Sequence, residues 1–366
     1  MALRYNRGEW SELYAFLRLL RDGRIYAADS GAKRIDDQFL PIIRIIRAEG
    51  PDKRIDYYTG EKIRLYKNGA FASELDPSSL DPVIDSLFSS IFGAAAGEGA
   101  FEIPSVQSFM ERLGVTKVKA NSSEKVDIDM QVHDLRTGFS PVVGFSVKSD
   151  VGSPPTLLNS GKNTRFRFRV GGLSDEQMLE VNAIDKTVCR EYMKARFERL
   201  LQFTGDVEYD SMVDRTFEDN LILIDSMLPR IYGEMILQHY MRISDGVYRC
   251  AELVDLVAER NPLKYRRNDV YAVKFKKLLT AAALGMTPGK VWDGRESATG
   301  GYVIIKRDGD VLFYHLYNRN FFEDYLMENT RFDRPSPSRH DFGYVFDAQG
   351  RKFIDLNVQV RFRTIG

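Results

Sequence analysis

Lys125-Val-Asp-Ile-Asp-Met-Gln-Val132, followed after a turn by Val142-Val-Gly-Phe-Ser-Val-Lys-Ser149, is the stretch that decides the fold. Val126, Ile128, Met130 and Val132 alternate with Asp127, Asp129 and Gln131, the period of two expected of a strand with one buried face. Thr137-Gly138 supplies a turn, and the second run completes a hairpin. Parity then sets Asp127 and Asp129 opposite the apolar residues, and Ser146 and Lys148 opposite Val143, Phe145 and Val147. If both apolar faces enter a core, two carboxylates, a hydroxyl and a lysine converge on one polar surface. Carboxylates hold a hard divalent cation such as Mg²⁺, and a lysine beside them orients or helps deprotonate an attacking water. An ordinary sheet with solvated outer charges shows the same alternation, so parity alone leaves both readings open.

The chain continues Ser149-Asp-Val-Gly-Ser-Pro-Pro-Thr-Leu-Leu-Asn159 and Lys162-Asn-Thr-Arg-Phe-Arg-Phe-Arg169. Hydroxyls, amides and guanidiniums are the groups that meet phosphates and base edges. Ser149, Ser153, Thr156, Asn159, Lys162, Asn163, Arg165 and Arg167 are therefore candidates for nucleic-acid contact. The alternative is a proline-containing loop followed by an edge strand whose arginines discourage aggregation.

Outward from this centre, Glu9 to Leu20 reads as a helix with Trp10, Leu13, Phe16, Leu17 and Leu20 on one face. Short strands are expected at Leu40–Ile46 and at Ile63–Tyr66, the latter ending in Asn68-Gly69. Helices follow near Leu80–Phe92 and Val106–Leu113. Past Leu173 the pattern is mostly helical, with long stretches near Arg190–Gln202, Phe217–Met241 and Val270–Leu284. Strands return at Tyr302–Lys306, Val311–Tyr317 and Phe353–Phe362. The class is α/β or α+β, a mixed central sheet flanked by helices. We expect a single chain, 1–366, with a catalytic core at about 70–175, the helix 8–21 packed on it, and a helix-rich region 176–366 for recognition or dimerisation.

Hydrophobic residues make up 43% of the 366 residues and charged residues 28%, with no net charge, which excludes disorder but does not by itself indicate nucleic acid. Cys189 and Cys250 form no disulfide framework, no run approaches a membrane span, and a cytoplasmic setting is expected. His133, His239, His315 and His340 lack metal-ligand spacing, and His315 reads as a buried strand histidine. Lys264-Tyr-Arg-Arg267 with Lys274, Lys276 and Lys277 reads as a phosphate-tracking patch or as a solvated face. No phosphate-binding loop or serine-hydrolase motif is present.

Gly8-Glu-Trp-Ser-Glu-Leu-Tyr14, Lys125-Val-Asp-Ile128 and Gly144-Phe-Ser-Val-Lys-Ser149 running into Gly152-Ser-Pro-Pro-Thr-Leu-Leu-Asn159 resemble the HpaII family of type II restriction endonucleases. So do Phe321-Phe-Glu-Asp-Tyr-Leu326, Asn329-Thr-Arg-Phe332 and Leu356-Asn-Val-Gln-Val-Arg-Phe362, and the likeness runs nearly the full length. It implies a PD-(D/E)xK fold, Mg²⁺-dependent cleavage of double-stranded DNA and the palindrome CCGG. It also implies a homodimer to match the palindrome, and a cognate DNA cytosine methyltransferase as functional companion. By the same likeness, Asn318, Arg319 and Arg331 reach base edges. Asp127, Asp129, Ser146 and Lys148 become the catalytic set, yet Ser146 stands where that pattern has a second acid. Asp129 or an outside acid, Glu12 before Glu9, would complete the metal ligands; Asp150 is a weaker candidate. Two other readings stay open: a nuclease of the same fold serving repair or methyl-directed cleavage, and a DNA-binding protein whose catalytic site has decayed.

Overall fold

Both strands of the hairpin form, as Ile128–Val132 and Val142–Ser149, in antiparallel register with Ile128 opposite Phe145 and Asp129 opposite Gly144. The computed structural model describes residues 3–50, 52–94, 99–118, 126–151, 154–187, 191–243, 245–246 and 248–363. Ser153 and Cys189 lie outside the described residues. The chain divides into two units, one comprising 1–155, 296–325 and 364–366, the other 156–295 and 326–363. The segment expected as a core, 70–175, runs from the first into the second.

In the first unit, Val142–Ser149 pairs in parallel along its other edge with Gly301–Ile305. That strand pairs with Val311–Tyr314, which runs parallel to Arg24–Ala28. Arg24–Ala28 pairs with the long strand Arg34–Gly50, which returns to Ile128–Val132. These pairings close a ring of strands, and Lys53–Tyr58, Ile63–Lys67 and Ala70–Leu75 extend the sheet outward from Arg34–Gly50 to nine strands. The sheet is mixed and flanked by helices, as expected. Closure is the new element, because it joins strands some 150 residues apart through backbone hydrogen bonds that leave no local pattern. The hairpin turn behaves as its residues dictate: Asn68 and Gly69 both take positive φ, 49° and 83°, the pairing a tight hairpin requires.

The helix Arg7–Asp22 starts at Asn6, whose side chain accepts from the Glu9 N–H while the Glu9 carboxylate accepts from the Asn6 N–H. Gly23 ends it in the left-handed conformation. Its apolar stripe, Trp10, Leu13, Phe16, Leu17 and Leu20, is buried in one cluster with Phe145, Val147, Met130 and Val303. Each such side chain contributes roughly 1.5–3 kcal/mol by leaving water. Asp81–Gly93 and Pro104–Leu113 add Leu87, Ile91, Val106 and Met110 to that cluster. On the opposite face, Phe322 and Tyr325 of the helix Arg319–Asn329 stack on Tyr302 and Tyr314, with ring centroids 5.1 Å apart for Tyr302–Phe322 and 4.7 Å for Tyr314–Tyr325.

The second unit is built around the helix Leu228–Met241, which is buried on all sides from Ile231 to Tyr240. The single helix expected from Phe217 to Met241 is two, Arg215–Ile224 and Leu228–Met241. The chain breaks where Asp225 turns to pair with Lys274 and accepts from the Met227 N–H, just ahead of Pro229. Likewise the expected strand Phe353–Phe362 is two, Arg351–Leu356 and Gln359–Phe362, in different sheets. Buried Asn357 makes the break, its side chain holding Thr164 and the Gly161 carbonyl at 2.9 and 2.8 Å.

Gly301 is where the ring tolerates no side chain. Its φ is +115°, and a Cβ there would stand 2.0 Å from the Tyr314 carbonyl oxygen. Gly301→Ala is expected to cost at least about 1–3 kcal/mol from the backbone conformation alone. A urea melt with the wild-type midpoint would show that the ring does not need this contact.

Candidate active site

Asp127 sits one residue ahead of its strand, with its N–H bonded to the Phe145 carbonyl at 2.9 Å. Its Oδ2 accepts the Val147 N–H at 2.8 Å and the Ser146 hydroxyl at 3.4 Å. Ser146 is 1% exposed. The serine therefore props the aspartate, which keeps its other oxygen, Oδ1, for a ligand. Lys148 is half-buried on the same face, two residues beyond Ser146, and its ammonium donates to the Val147 carbonyl at 3.1 Å.

Asp129 faces Gly144 across the hairpin. A Cβ on Gly144 would meet Val126 Cγ1 at 2.7 Å and Asp129 Oδ1 at 3.1 Å. A glycine inside a strand marks such a close approach. Here it lets the carboxylate lie over the partner strand. Loss of solvation raises the Asp129 pKa above the usual carboxylate value, and the charge of Arg54 offsets this in part.

Asp127, Asp129, Ser146 and Lys148 thus share one face, as parity required. Tyr302, in register with Ser146 on the parallel strand, joins them. It is fully buried, and its phenol pKa is pushed well above the usual value by desolvation and then by Tyr325, Asp127 and Asp150. Sequence reading missed Tyr302 because it lies in an apolar strand; only the parallel pairing sets it beside Ser146. Gly144, in contrast, carried a signal, being a glycine within an alternating run. Glu12 is half-buried on the helix Arg7–Asp22, which packs on the strand Val142–Ser149 and on Arg34–Gly50. Glu9 is engaged in the N-terminal cap of that helix.

Among the described residues, no three acidic, histidine or cysteine side chains gather as a ready metal cage. Mg²⁺ does not require one, since it keeps several waters and takes one or two carboxylates together with substrate phosphate. The hard oxygens of Asp127 and of the exposed Asp129 fit that demand. His315 is half-buried just past the end of the strand Val311–Tyr314 and not within it as expected; its Nδ1 accepts from the Tyr317 N–H at 3.2 Å, and burial lowers its pKa.

The downstream segment is distributed differently. Ser149 belongs to the first unit, where its hydroxyl accepts from the Val151 N–H at 3.1 Å. Thr156, Asn159, Lys162, Asn163, Arg165 and Arg167 belong to the second unit. Thr156 is in the strand Thr156–Leu158, Asn159 is exposed, and Lys162 and Asn163 form a single helical turn. The basic strand is Phe166–Val170, and it is not an edge: it lies between Val207–Met212 and Arg351–Leu356. Nor is its basic face free. Arg167 forks onto Asp355 at 2.9 and 3.2 Å, Arg165 meets Asp341, and Arg169 meets Glu208. The expectation of an open arginine stripe is corrected by the acids that the neighbouring strands and the 341 turn bring against it.

Arg167→Ala would leave the nearly buried Asp355 carboxylate without its fork, and a loss of about 1–3 kcal/mol is expected. A thermal melt indistinguishable from wild type would show the pair to be dispensable and restore Arg167 as a free cation.

Comparison with known proteins gives a consistent result. Residues 6–362 match the family model described as HpaII restriction endonuclease. The chain is 40% identical over 363 residues, 98% of both sequences, to a protein of Haemophilus parainfluenzae named type II restriction enzyme HpaII. No solved structure matches.

Proposed function

This chain belongs to the HpaII restriction endonuclease family and is a type II site-specific deoxyribonuclease, and from that premise we propose that it cuts double-stranded DNA at CCGG with Mg²⁺ as cofactor. The convergence of Asp127, Asp129, Ser146 and Lys148 on one sheet face supports the reading. In this proposal the fold is a variant of the PD-(D/E)xK core in which Ser146 occupies the second acid's position. Asp129, lying over Gly144, supplies the displaced carboxylate; Glu12, on the helix that packs against the apolar face of the hairpin, is the alternative outside donor.

Asp127 and Asp129 would hold the cation, which supplies a Lewis acid for the phosphodiester and offsets its developing charge. The residues do the remaining work. The Val147 N–H and the Ser146 hydroxyl fix the Asp127 carboxylate so that its free oxygen needs no reorientation. Lys148, tied to its own strand, orients the attacking water and keeps a positive charge beside the scissile phosphate. Ser149, Thr156, Asn159, Lys162 and Asn163 are proposed DNA contacts, with the region 176–366 serving recognition and pairing of two copies across the palindrome. Arg165 and Arg167 would contribute only by exchanging their carboxylates for phosphate. A cytosine methyltransferase acting at the same site would be the functional companion, protecting the host DNA.

Purified protein incubated with unmethylated plasmid and Mg²⁺ is expected to give discrete fragments whose sequenced ends fall at CCGG, and none with EDTA. Ends at another sequence would discard the CCGG assignment, and fragments with EDTA would discard the metal. Asp127→Ala is expected to abolish cleavage, a loss of at least about 10³-fold, while duplex affinity stays within about twofold, because a metal ligand is removed and no phosphate contact is lost. Wild-type cleavage by that variant would sink the site.

A further inference from the structure

The polar face of the sheet does not end at Asp129. Register carries it from Asp129 to Ile46, from Ile46 to Asp56, from Asp56 to Tyr66, and along the neighbouring row from Tyr58 to Arg64 to Glu74. On this face lies a groove of about 870 Å³ lined by Arg44, Asp56, Tyr58, Lys62, Arg64 and Glu74, among others. Its ion pairs are lopsided. Arg44 and Arg54 share the single carboxylate of Asp56 at 3.3 and 2.9 Å, and Lys62 and Arg64 share that of Glu74 at 3.1 and 3.8 Å. Each carboxylate thus answers two cations. The Nε of Arg44 is buried and makes no hydrogen bond among the described residues. Lys62 and Arg64, which line the groove, and Arg54, which borders it by pairing with the lining Asp56, keep more than half of their side chains in solvent, so their charged ends are open to a ligand. Tyr58 and Tyr66 line the groove with their rings 5.3 Å apart between centroids.

Guanidiniums are forked donors matched to phosphate, and a ring beside one, as Tyr58 is to Arg44 at 5.4 Å, steadies it without competing for the anion. Strands about 4.8 Å apart set the groove roughly 10 to 20 Å from the Asp129 strand, the distance of a few nucleotides along one DNA strand. Resting on the nuclease reading of Asp127 and Asp129, we infer that this groove carries the sugar–phosphate backbone of DNA flanking the cut, with Arg54 and Arg64 as phosphate ligands. Contacts of this kind position the duplex and carry no sequence information.

The test uses the full-length protein in EDTA, with fluorescence anisotropy of a CCGG duplex and of a shuffled duplex over a range of KCl concentrations. Arg54→Ala and Arg64→Ala are each expected to weaken both duplexes several-fold and equally, and to reduce the slope of log affinity against log salt by about 1. Glu74→Gln, which releases Lys62 and Arg64, is expected to do the opposite: tighter binding and a steeper slope, a gain that mere loss of a structural ion pair would not give. Unchanged slopes in all three variants overturn the inference, as does a loss confined to the CCGG duplex, which would mean base reading. Should Arg54→Ala fold poorly because Asp56 is buried, the exposed Arg64 and Glu74 decide alone. Plasmid cleavage by the wild type with Mg²⁺ runs alongside: cleavage with unchanged slopes defeats the groove only, whereas no cleavage defeats the nuclease reading itself.

Discussion

The register between Ile128–Val132 and Val142–Ser149 is the constraint on which everything else in the first unit rests. Side chains alternate with a period of two, so a slip of one residue would turn every one of them to the other face. In the observed register Ile128, Met130, Phe145 and Val147 enter the core beneath the helix Arg7–Asp22. A slip that turned Ile128–Val132 would expose Ile128 and Met130 and bury Asp127 and Asp129 against Trp10 and Phe16, and one that turned Val142–Ser149 would expose Phe145 and Val147 and bury Lys148. Burying unpaired charges costs several kcal/mol each on top of the lost apolar burial, so no competing pairing comes near. The polar face is therefore a by-product of a core requirement, and the chemistry occupies what the core rejects.

Ring closure then gives that face its boundaries. Gly301–Ile305 lies beside Val142–Ser149 in parallel, which brings Tyr302 level with Ser146 and lays Phe322 over Tyr302. On the far side the sheet continues open through Lys53–Tyr58 to Ala70–Leu75. One flank of Asp127, Asp129, Ser146 and Lys148 is dry and aromatic, and the other is wet and charged. Desolvation raises the phenol pKa of Tyr302 on the dry flank well above its usual value, and raises that of Asp129, on the strand next to Arg34–Gly50, above the usual carboxylate value. Two glycines serve close approach in this ring, Gly301 against the Tyr314 carbonyl and Gly144 against Val126 and Asp129.

The two sets of arginines show why residue type alone misleads about nucleic-acid contact. Arg165, Arg167 and Arg169 are conspicuous in sequence because they alternate within five residues. Folding surrounds each with its own carboxylate, Asp341, Asp355 and Glu208, drawn from distant parts of the chain. Arg44, Arg54 and Arg64 attract no notice in sequence, being ten residues apart in separate strands. Folding sets them on one face with too few acids to neutralise them. What decides availability is the ratio of cations to carboxylates after folding.

By itself the sequence determined the hairpin and the shared face of Asp127, Asp129, Ser146 and Lys148, because alternation is a local property with one low-energy solution; the register came with the structure. It also determined the N-terminal helix and the Asn68-Gly69 turn, for the same reason, and near full-length likeness carried the family, while the Asn6 cap came with the structure. Tertiary structure alone decided the rest. It closed the sheet through strands more than 150 residues apart, set Tyr302 beside Ser146, split the expected helix at Asp225 and the expected strand at Asn357, and withdrew the arginine stripe while opening a groove elsewhere. Each of these depends on hydrogen bonds or ion pairs between residues distant in the chain, and such partners leave no periodicity in either segment for a reader of the sequence to find.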